Sequence, residues 1–205
     1  MRIAIDLNDV IRDYTGQFIK YYKKTIDSDF EIEAKDVDEF DFTLVFPFKD
    51  RSEYEQFNYL DCAFEIYGRA ETKDKLLAVK LNNWLQNTLR EFEEDKIPEV
   101  FFVSPLEIGL TIQSTYAFLA KIGTRVREMW FPADSTKIWD RCDILITANP
   151  RLLESKPEGK TAIKIETGYN KDADADYTFD SMTSLIDDKE ETIINLINEQ
   201  DEHRD

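Results

Sequence analysis

The sequence is poor in histidine, cysteine and glycine. One histidine, two cysteines and six glycines occur among 205 residues. The histidine, His203, stands in a polar tail, so neither histidine-based catalysis nor a histidine-rich metal site is expected. Cys62 and Cys142 lie in apolar segments, which predicts reduced core thiols rather than a disulfide. The candidate functional groups are therefore carboxylates, amides, hydroxyls and lysines.

Positive charge and long apolar runs are also scarce. The chain has 26 basic and 43 acidic residues, a formal net charge of −17. Nucleic-acid backbones and anionic membranes repel such a protein, so neither is an expected partner. No apolar run reaches the roughly 18 residues of a transmembrane segment, and no signal-peptide pattern is present. The net charge does not exclude a small phosphorylated or anionic molecule that is held in a locally basic pocket. We predict a cytoplasmic protein, and its oligomeric state stays open.

Short apolar segments alternate with helical patterns over most of the chain. A hydrophobic fraction of 42% is sufficient for one core domain with an insertion. Strands that alternate with helices predict an α/β fold, a three-layer sandwich with a parallel sheet and right-handed crossovers. The predicted strands are residues 1–5, 99–103, 124–130, 142–146 and 161–165. A helix is predicted at 108–122 and another at 187–198.

A long, mainly helical segment separates the first strand from the second. Apolar residues recur at helical spacing in 12–24, 51–67 and 72–93. An acidic stretch between the first two of these helices has no clear period and predicts solvated surface. We predict a small helical cap at residues 15–96 on a core formed by residues 1–14 and 97–205.

The first strand ends in a cluster of short polar side chains. Asp6 and Asn8 follow it on one side of an extended tip, where α/β sheets present their working groups. This segment resembles the first motif of the haloacid dehalogenase-like (HAD) hydrolases, in which both positions are carboxylates. The resemblance implies that Asp6 attacks phosphorus, that position 8 is the general acid and base, and that both contact Mg²⁺. Asn8 departs from the motif, because an amide cannot shuttle a proton; Asp9 is the nearest acid that could replace it.

Two further strand-end residues match the same resemblance. Ser104 closes the second strand, and Lys137 stands six residues before Asp143 on the approach to the fourth. The resemblance implies that both hold phosphoryl oxygens, although a Ser-Pro turn and a surface lysine are the ordinary interpretations. We expect Lys137 to approach the Asp6 carboxylate, since an unpaired buried carboxylate is costly.

The fourth strand departs from the family pattern. Thr147, Ala148 and Asn149 follow it, where the family has acidic residues that hold Mg²⁺. Mg²⁺ prefers charged oxygen ligands, so its binding is predicted to be weakened. Asn149 remains a candidate for substrate binding.

The segment after the fifth strand, residues 167–170, is similar to a Tyr-Asn passage of the 5′(3′)-deoxyribonucleotidase branch. That branch is therefore the nearest within the family. Lys156 and Lys160 lie in the turn before the fifth strand. They are interpreted either as surface lysines or as a source of positive potential for an anionic ligand.

Two hypotheses of function follow. The first is a phosphatase or nucleotidase with Asp6 as nucleophile and with impaired acid–base and Mg²⁺ motifs. The second is a catalytically inactive member of the family that binds a small anion or a protein partner. Turnover is expected to be weak or absent, since general acid–base catalysis contributes ~10²–10⁴-fold. The positions of Asp9 and Asp13 relative to Asp6 discriminate between the two.

Overall fold

Six parallel strands form one sheet in a computed structural model that describes residues 1–87, 89, 97–188 and 191–202. The strand order is β3-β2-β1-β4-β5-β6, which confirms the predicted α/β fold. The first strand lies between the second and the fourth, as expected. The strands are β1 Arg2–Asp6, β2 Glu99–Val103, β3 Met129–Trp130, β4 Ile144–Thr147, β5 Thr161–Ile165 and β6 Tyr177–Phe179.

The helices agree with the predicted pattern in order but not always in extent. The predicted helix 51–67 is a short α-helix followed by two π-helical turns, Phe57–Asp61 and Phe64–Gly68. The C-terminal helix begins at Thr192, later than predicted. Residues 88 and 90–96 lie outside the described residues, and they include the end of the helix predicted at 72–93. His203 lies outside them as well. The α-helices are α1 Tyr14–Thr25, α2 Arg51–Gln56, α3 Leu77–Gln86, α4 Leu110–Ile122, α5 Pro150–Glu154, α6 Met182–Ile186 and α7 Thr192–Glu202.

Parallel pairing brings three strand ends to one edge of the sheet. Asp6 is in register with Val103 of β2, and Ile5 is in register with Ile146 of β4. Ser104 and Thr147 follow these partners directly. The carboxyl ends of β2 and β4 therefore lie on either side of Asp6, which ends β1.

Strand side chains alternate between two apolar clusters, as the two-residue period of a strand requires. Ile3 and Ile5 of β1 face the first cluster, which side chains of α3, α4, α6 and α7 complete. Ala4 faces the second, which includes Trp139 and Leu152. The sheet is thus covered on both faces. None of the helices among the described residues has the length and hydrophobicity to cross a membrane, and the cytoplasmic location stays a prediction.

A third apolar cluster lies in the insertion between β1 and β2 and is mostly aromatic. Phe18 is its centre, with ring centroids 4.8 Å from Phe46 and 4.9 Å from Phe42. Aromatic pairs of this kind contribute about 0.5–1.5 kcal/mol each beyond area burial. Part of the predicted cap thus has a core of its own.

The apolar stripe of α3 belongs to a different cluster. Leu77, Leu81 and Trp84 pack in the cluster on the face of the sheet that Ile3 and Ile5 occupy. The sequence prediction placed α3 in the cap, and the structure shows that the apolar face of this helix covers the sheet. The remaining division of the chain into core and cap stays a prediction.

Candidate functional site

A cleft of about 150 Å³ opens over the carboxyl ends of the central strands. Asp6, Asn8 and Asn149 line it together, so three predicted site residues converge. Arg51, Arg151 and Asp41 supply its other charges. Its aromatic walls are Tyr14, Phe40, Phe42, Tyr54, Tyr59, Tyr67 and Tyr169.

Asp6 lies at the base of this cleft and is only 2% exposed. Its Oδ2 accepts a hydrogen bond from Thr147 Oγ1 at 2.8 Å. Its Oδ1 has no hydrogen-bond partner among the described residues. Burial raises the pKa of Asp6 to about 7, although the Thr147 hydroxyl, the Leu7 backbone N–H and the Arg12 guanidinium each lower it. The protonated and the ionised form of the Asp6 carboxyl group are consequently both populated near neutral pH.

Asn8 is held by the guanidinium of Arg12, which is fully buried. Arg12 Nε and Nη2 both donate to Asn8 Oδ1, at 2.9 and 2.5 Å. Because a guanidinium only donates, the oxygen of the carboxamide has to face Arg12. The Nδ2 end is then turned away from Arg12, and Asn8 is one of the residues that line the cleft.

Arg12 belongs to a buried polar network behind the base of the cleft. It donates to Glu107 Oε1 at 2.5 Å and to Thr115 Oγ1 at 2.6 Å. Ser104 Oγ donates to the same Glu107 oxygen at 2.5 Å. Ser104 is fully buried and does not line the cleft. Its predicted contact with a phosphoryl oxygen is therefore corrected, because its hydroxyl is turned to Glu107.

The prediction that Lys137 approaches Asp6 is wrong. Lys137 lies in a 3₁₀ segment, Ser135–Asp140, whose side chains Ile138 and Trp139 are the buried ones. The Lys137 side chain is 63% exposed and pairs with Asp140 at 3.6 Å. Since it does not line the cleft, it cannot hold a ligand there in this arrangement.

Asp9 is held by several hydrogen bonds and does not line the cleft. Its backbone has a positive φ of 57°. Its carboxylate accepts from the Thr15 backbone N–H and hydroxyl, from Tyr169 at 3.0 Å and from Lys73 at 3.4 Å. Asp13 also pairs with Lys73, at 3.3 Å. The Asp9 carboxylate is thus held by contacts within the protein, and neither Asp9 nor Asp13 lines the cleft with Asp6.

The two turn lysines after α5 also have partners. Lys156 pairs with Asp176 at 2.9 Å, and Lys160 pairs with Asp143 at 3.2 Å. Neither lines the cleft. The surface interpretation of these lysines therefore fits the structure better than a role in ligand binding.

The oxygen donors at the ends of β1 and β4 do not fit the Mg²⁺ site that the family resemblance implies. Asp6 Oδ1 offers a buried oxygen without a partner. However, Asn8 Oδ1 faces a guanidinium, the Thr147 hydroxyl is bonded to Asp6, and Asn149 Oδ1 caps α5 through the Arg151 backbone N–H. In the described parts of the chain, no three His, Cys, Asp or Glu side chains form a group that could hold a metal ion. A divalent cation would lack the charged ligands it prefers.

Sequence reasoning missed Arg12, Glu107 and the tyrosine walls. Arg12 carried a usable signal, because it is a charged residue directly after the apolar pair Val10 and Ile11. Glu107 follows Ser104 by three residues, but an acid in a loop is normally solvated. The wall tyrosines come from distant segments, so their convergence depends on the fold.

Comparisons with known proteins bear on the fold alone. No protein-family profile matches the chain, and no curated protein shows a significant sequence match. The crystal structure of a dehalogenase with an intermediate complex superposes with a TM-score of 0.52 at 11% identity, over 90% of this chain and 94% of that chain. A second dehalogenase structure gives 0.49 at 10% identity, over 90% and 94% of the two chains. A protein assigned to the haloacid dehalogenase-like hydrolases, from Burkholderia xenovorans LB400, gives 0.49 at 9%, over 92% and 96%. The first superposition shows a shared α/β fold.

Proposed function

We propose that this chain is a HAD-like protein whose cleft binds a small phosphorylated or other anionic molecule, with little or no Mg²⁺-dependent hydrolysis. The observation that carries the proposal is the surroundings of Asp6, which bonds to the Thr147 hydroxyl where a phosphatase needs a metal-binding carboxylate. Asn8 beside it offers an amide instead of an acid. The strand-end position of Asp6 is retained, while the groups that support phosphoryl transfer are replaced.

The positive charges of the cleft support an anionic ligand. Arg51 and Arg151 line it, and the Arg51 side chain is 69% exposed and so accessible to a ligand. Burial raises the pKa of Tyr14, Tyr67 and Tyr169 well above the ordinary value, so their hydroxyls stay protonated. Arg51 also pairs with Glu55 at 3.0 Å and with Asp41 at 3.9 Å, so the cleft sets two arginines against Asp41 in a protein of net charge −17. Tyr14 donates its hydroxyl hydrogen to Asn58 and Tyr169 donates its own to Asp9, so these two hydroxyls can only accept from a ligand.

A hydrolysis assay tests the missing turnover. The purified protein is incubated with Mg²⁺ and a panel of deoxyribonucleotides and aryl phosphates, with Asp6→Asn as the matched control. We expect release of phosphate at the same background level from both proteins. Turnover near an ordinary enzyme rate of ~10 s⁻¹ that disappears in Asp6→Asn would refute the proposal.

A second candidate function retains Asp6 as a nucleophile. Its unpartnered Oδ1 at the base of the cleft is the observation that favours it. Without a proton donor at position 8, the reaction would be limited to leaving groups that depart as stable anions, such as a nitrophenolate or a halide. Hydrolysis of 4-nitrophenyl phosphate or of a 2-chloro acid by the wild-type protein, absent in Asp6→Asn, would establish it.

Within the phosphorylated molecules, a deoxyribonucleotide is the ligand class that the binding proposal favours. Its support is the resemblance of residues 167–170 to the deoxyribonucleotidase branch. Tyr169 of this segment lines the cleft and donates to Asp9. Tighter binding of a deoxyribonucleotide than of an aryl phosphate of equal charge is the corresponding expected outcome.

A further inference from the structure

Every N–H group of the Arg12 guanidinium has an acceptor inside the protein. Nε donates to Asn8, Nη1 to Thr115 and to the Tyr67 carbonyl, and Nη2 to Asn8 and Glu107. The side chain is fully buried and has no donor left for a ligand. Arg12 therefore acts on the cleft only through its neighbours.

The surroundings of Arg12 hold it in one position. Glu107 balances its charge at 2.5 Å. Its guanidinium carbon lies 4.8 Å from the centre of the Tyr67 ring and 5.5 Å from that of Phe118. A guanidinium that is paired, stacked and fully bonded is a rigid platform, because moving it would leave several buried groups unsatisfied.

Asn8 is the member of this network that reaches the cleft. Its oxygen accepts two hydrogen bonds from Arg12. Its Nδ2 makes no hydrogen bond to any of the described residues. The amide is thus fixed in one of its two possible orientations, with two N–H donors that none of the described residues accepts.

We propose that Arg12 is a positioning residue that locks the Asn8 carboxamide so that its Nδ2–H₂ group is presented to an anionic oxygen of the ligand. This inference rests on the proposed anion-binding function and adds a binding group to it. Position 8 then serves as a hydrogen-bond donor to a phosphate or carboxylate oxygen. The fixed orientation means that binding needs no reordering of this side chain.

The experiment uses inorganic phosphate as the probe and the Asn8 side-chain amide as the reporter. The amide pair of Asn8 is assigned in ¹H–¹⁵N spectra by its loss in Asn8→Ala, and phosphate is then titrated. The test variant combines Arg12→Met with Glu107→Gln, so that no buried charge is left alone. Ser114→Ala is the matched control. Ser114 lies on α4 next to Thr115, and its buried hydroxyl donates only to the Leu110 carbonyl.

We expect phosphate to shift the Asn8 amide signals in the wild-type protein and in Ser114→Ala. In the double variant and in Asn8→Ala, phosphate affinity should fall at least about tenfold with unchanged circular dichroism, since one charge-assisted hydrogen bond is lost. Equal phosphate affinity and equal amide shifts in the double variant and the wild type would overturn the role of Arg12 while leaving anion binding intact. Absence of any phosphate-induced shift in wild-type cleft signals would overturn the proposed function itself.

A readout on Arg12 covers the case in which the double variant does not fold. The Arg12 Nε–H signal in Asn8→Ala, which retains the buried ion pair, reports whether Asn8 is its acceptor. We expect this signal to move and to exchange with water at least about tenfold faster, because its acceptor is gone. An unchanged Nε–H signal would overturn the inference.

Discussion

At the scale of single residues, two side chains of the site, Asp6 and Asn8, differ from what a phosphatase needs, each for its own reason. Asp6 is the expected carboxylate but is held in surroundings that favour its protonated form. Asn8 replaces the expected second carboxylate and is fixed by a buried cation. Burial explains the first difference and hydrogen bonding the second. Both reduce the negative charge at the base of the cleft.

Asp6→Asn is expected to stabilise the fold, and to do so more at about pH 8 than at about pH 5. The pKa of Asp6 is raised from an ordinary value of 3.8 to about 7. Between these values the folded chain holds a proton that the unfolded chain has released, so stability falls as pH rises and is lowest above 7. The gain at alkaline pH should be of the order of 2–4 kcal/mol, measured by urea denaturation.

Asp143→Asn is the control, because its effect on folding stability is expected to have the opposite sign to that of Asp6→Asn. Partial burial raises the pKa of Asp143, but the Arg2 backbone N–H and Lys160 lower it further, so the net shift is downward. Its carboxylate therefore stabilises the fold above the ordinary pKa, and this contribution is lost as pH falls. The substitution should destabilise at neutral pH. A pH-independent effect of Asp6→Asn would show that Asp6 is not desolvated as described.

Asn8→Asp alone is not expected to restore hydrolysis. The new carboxylate would accept the same two hydrogen bonds from Arg12, which would keep it ionised and unable to protonate a leaving group. Phenyl phosphate is the appropriate substrate, because its leaving group needs a proton. We expect less than about a threefold change in rate, against the ~10²–10⁴-fold typical of general acid catalysis. A gain of that size would mean that Arg12 does not control position 8.

At the scale of secondary-structure elements, the polar network joins β1, the loop after β2, and α4. Arg12 follows β1, Glu107 lies in the loop, and Thr115 lies on α4, where it donates to Glu107 at 2.6 Å. The residue pairs are separated by 95 positions for Arg12 and Glu107 and by 103 for Arg12 and Thr115. The network therefore ties the base of the cleft to a helix that packs on the sheet.

Glu107→Ala is expected to destabilise the protein by about 3–5 kcal/mol, because Arg12 would remain buried without its counter-charge. Glu128→Ala is the comparison, since Glu128 pairs with Arg2 and Arg141 at partly exposed positions. Loss of those pairs should cost about 1 kcal/mol or less. Denaturant unfolding of both variants gives the two values. Equal losses would contradict a tightly buried Arg12–Glu107 pair.

The end of β4 can be used to test the missing metal ligands. Thr147→Asp combined with Ala148→Asp places one carboxylate at the last residue of β4, beside Asp6, and a second at the following residue. Oxygen ligands of this charge are what Mg²⁺ prefers, so Mg²⁺ should raise the melting temperature of this variant and leave the wild-type value unchanged. A wild-type protein that Mg²⁺ stabilises equally would refute the proposed loss of the metal site.

At the scale of the whole molecule, the sequence predicted the sheet better than the site. β1 and β5 were located because buried parallel strands are continuous apolar runs. β6 was missed because its residues, Tyr177–Phe179, are few and largely exposed. Lys137 was misplaced because its spacing before β4 does not determine how the surface turn folds. The role of Arg12 was missed because Glu107 and Thr115, which fix its position together with Asn8, are about a hundred residues away in the sequence.

The affinity of the wild-type protein for inorganic phosphate, measured calorimetrically with excess Mg²⁺ and with a chelator, tests metal-independent anion binding most directly. A cleft whose donors are Asn8, Arg51 and Arg151 should bind phosphate with the same Kd under both conditions. Asn8→Ala should weaken binding at least about tenfold in each. Phosphate binding that requires Mg²⁺, or no binding under either condition, would contradict the proposed function.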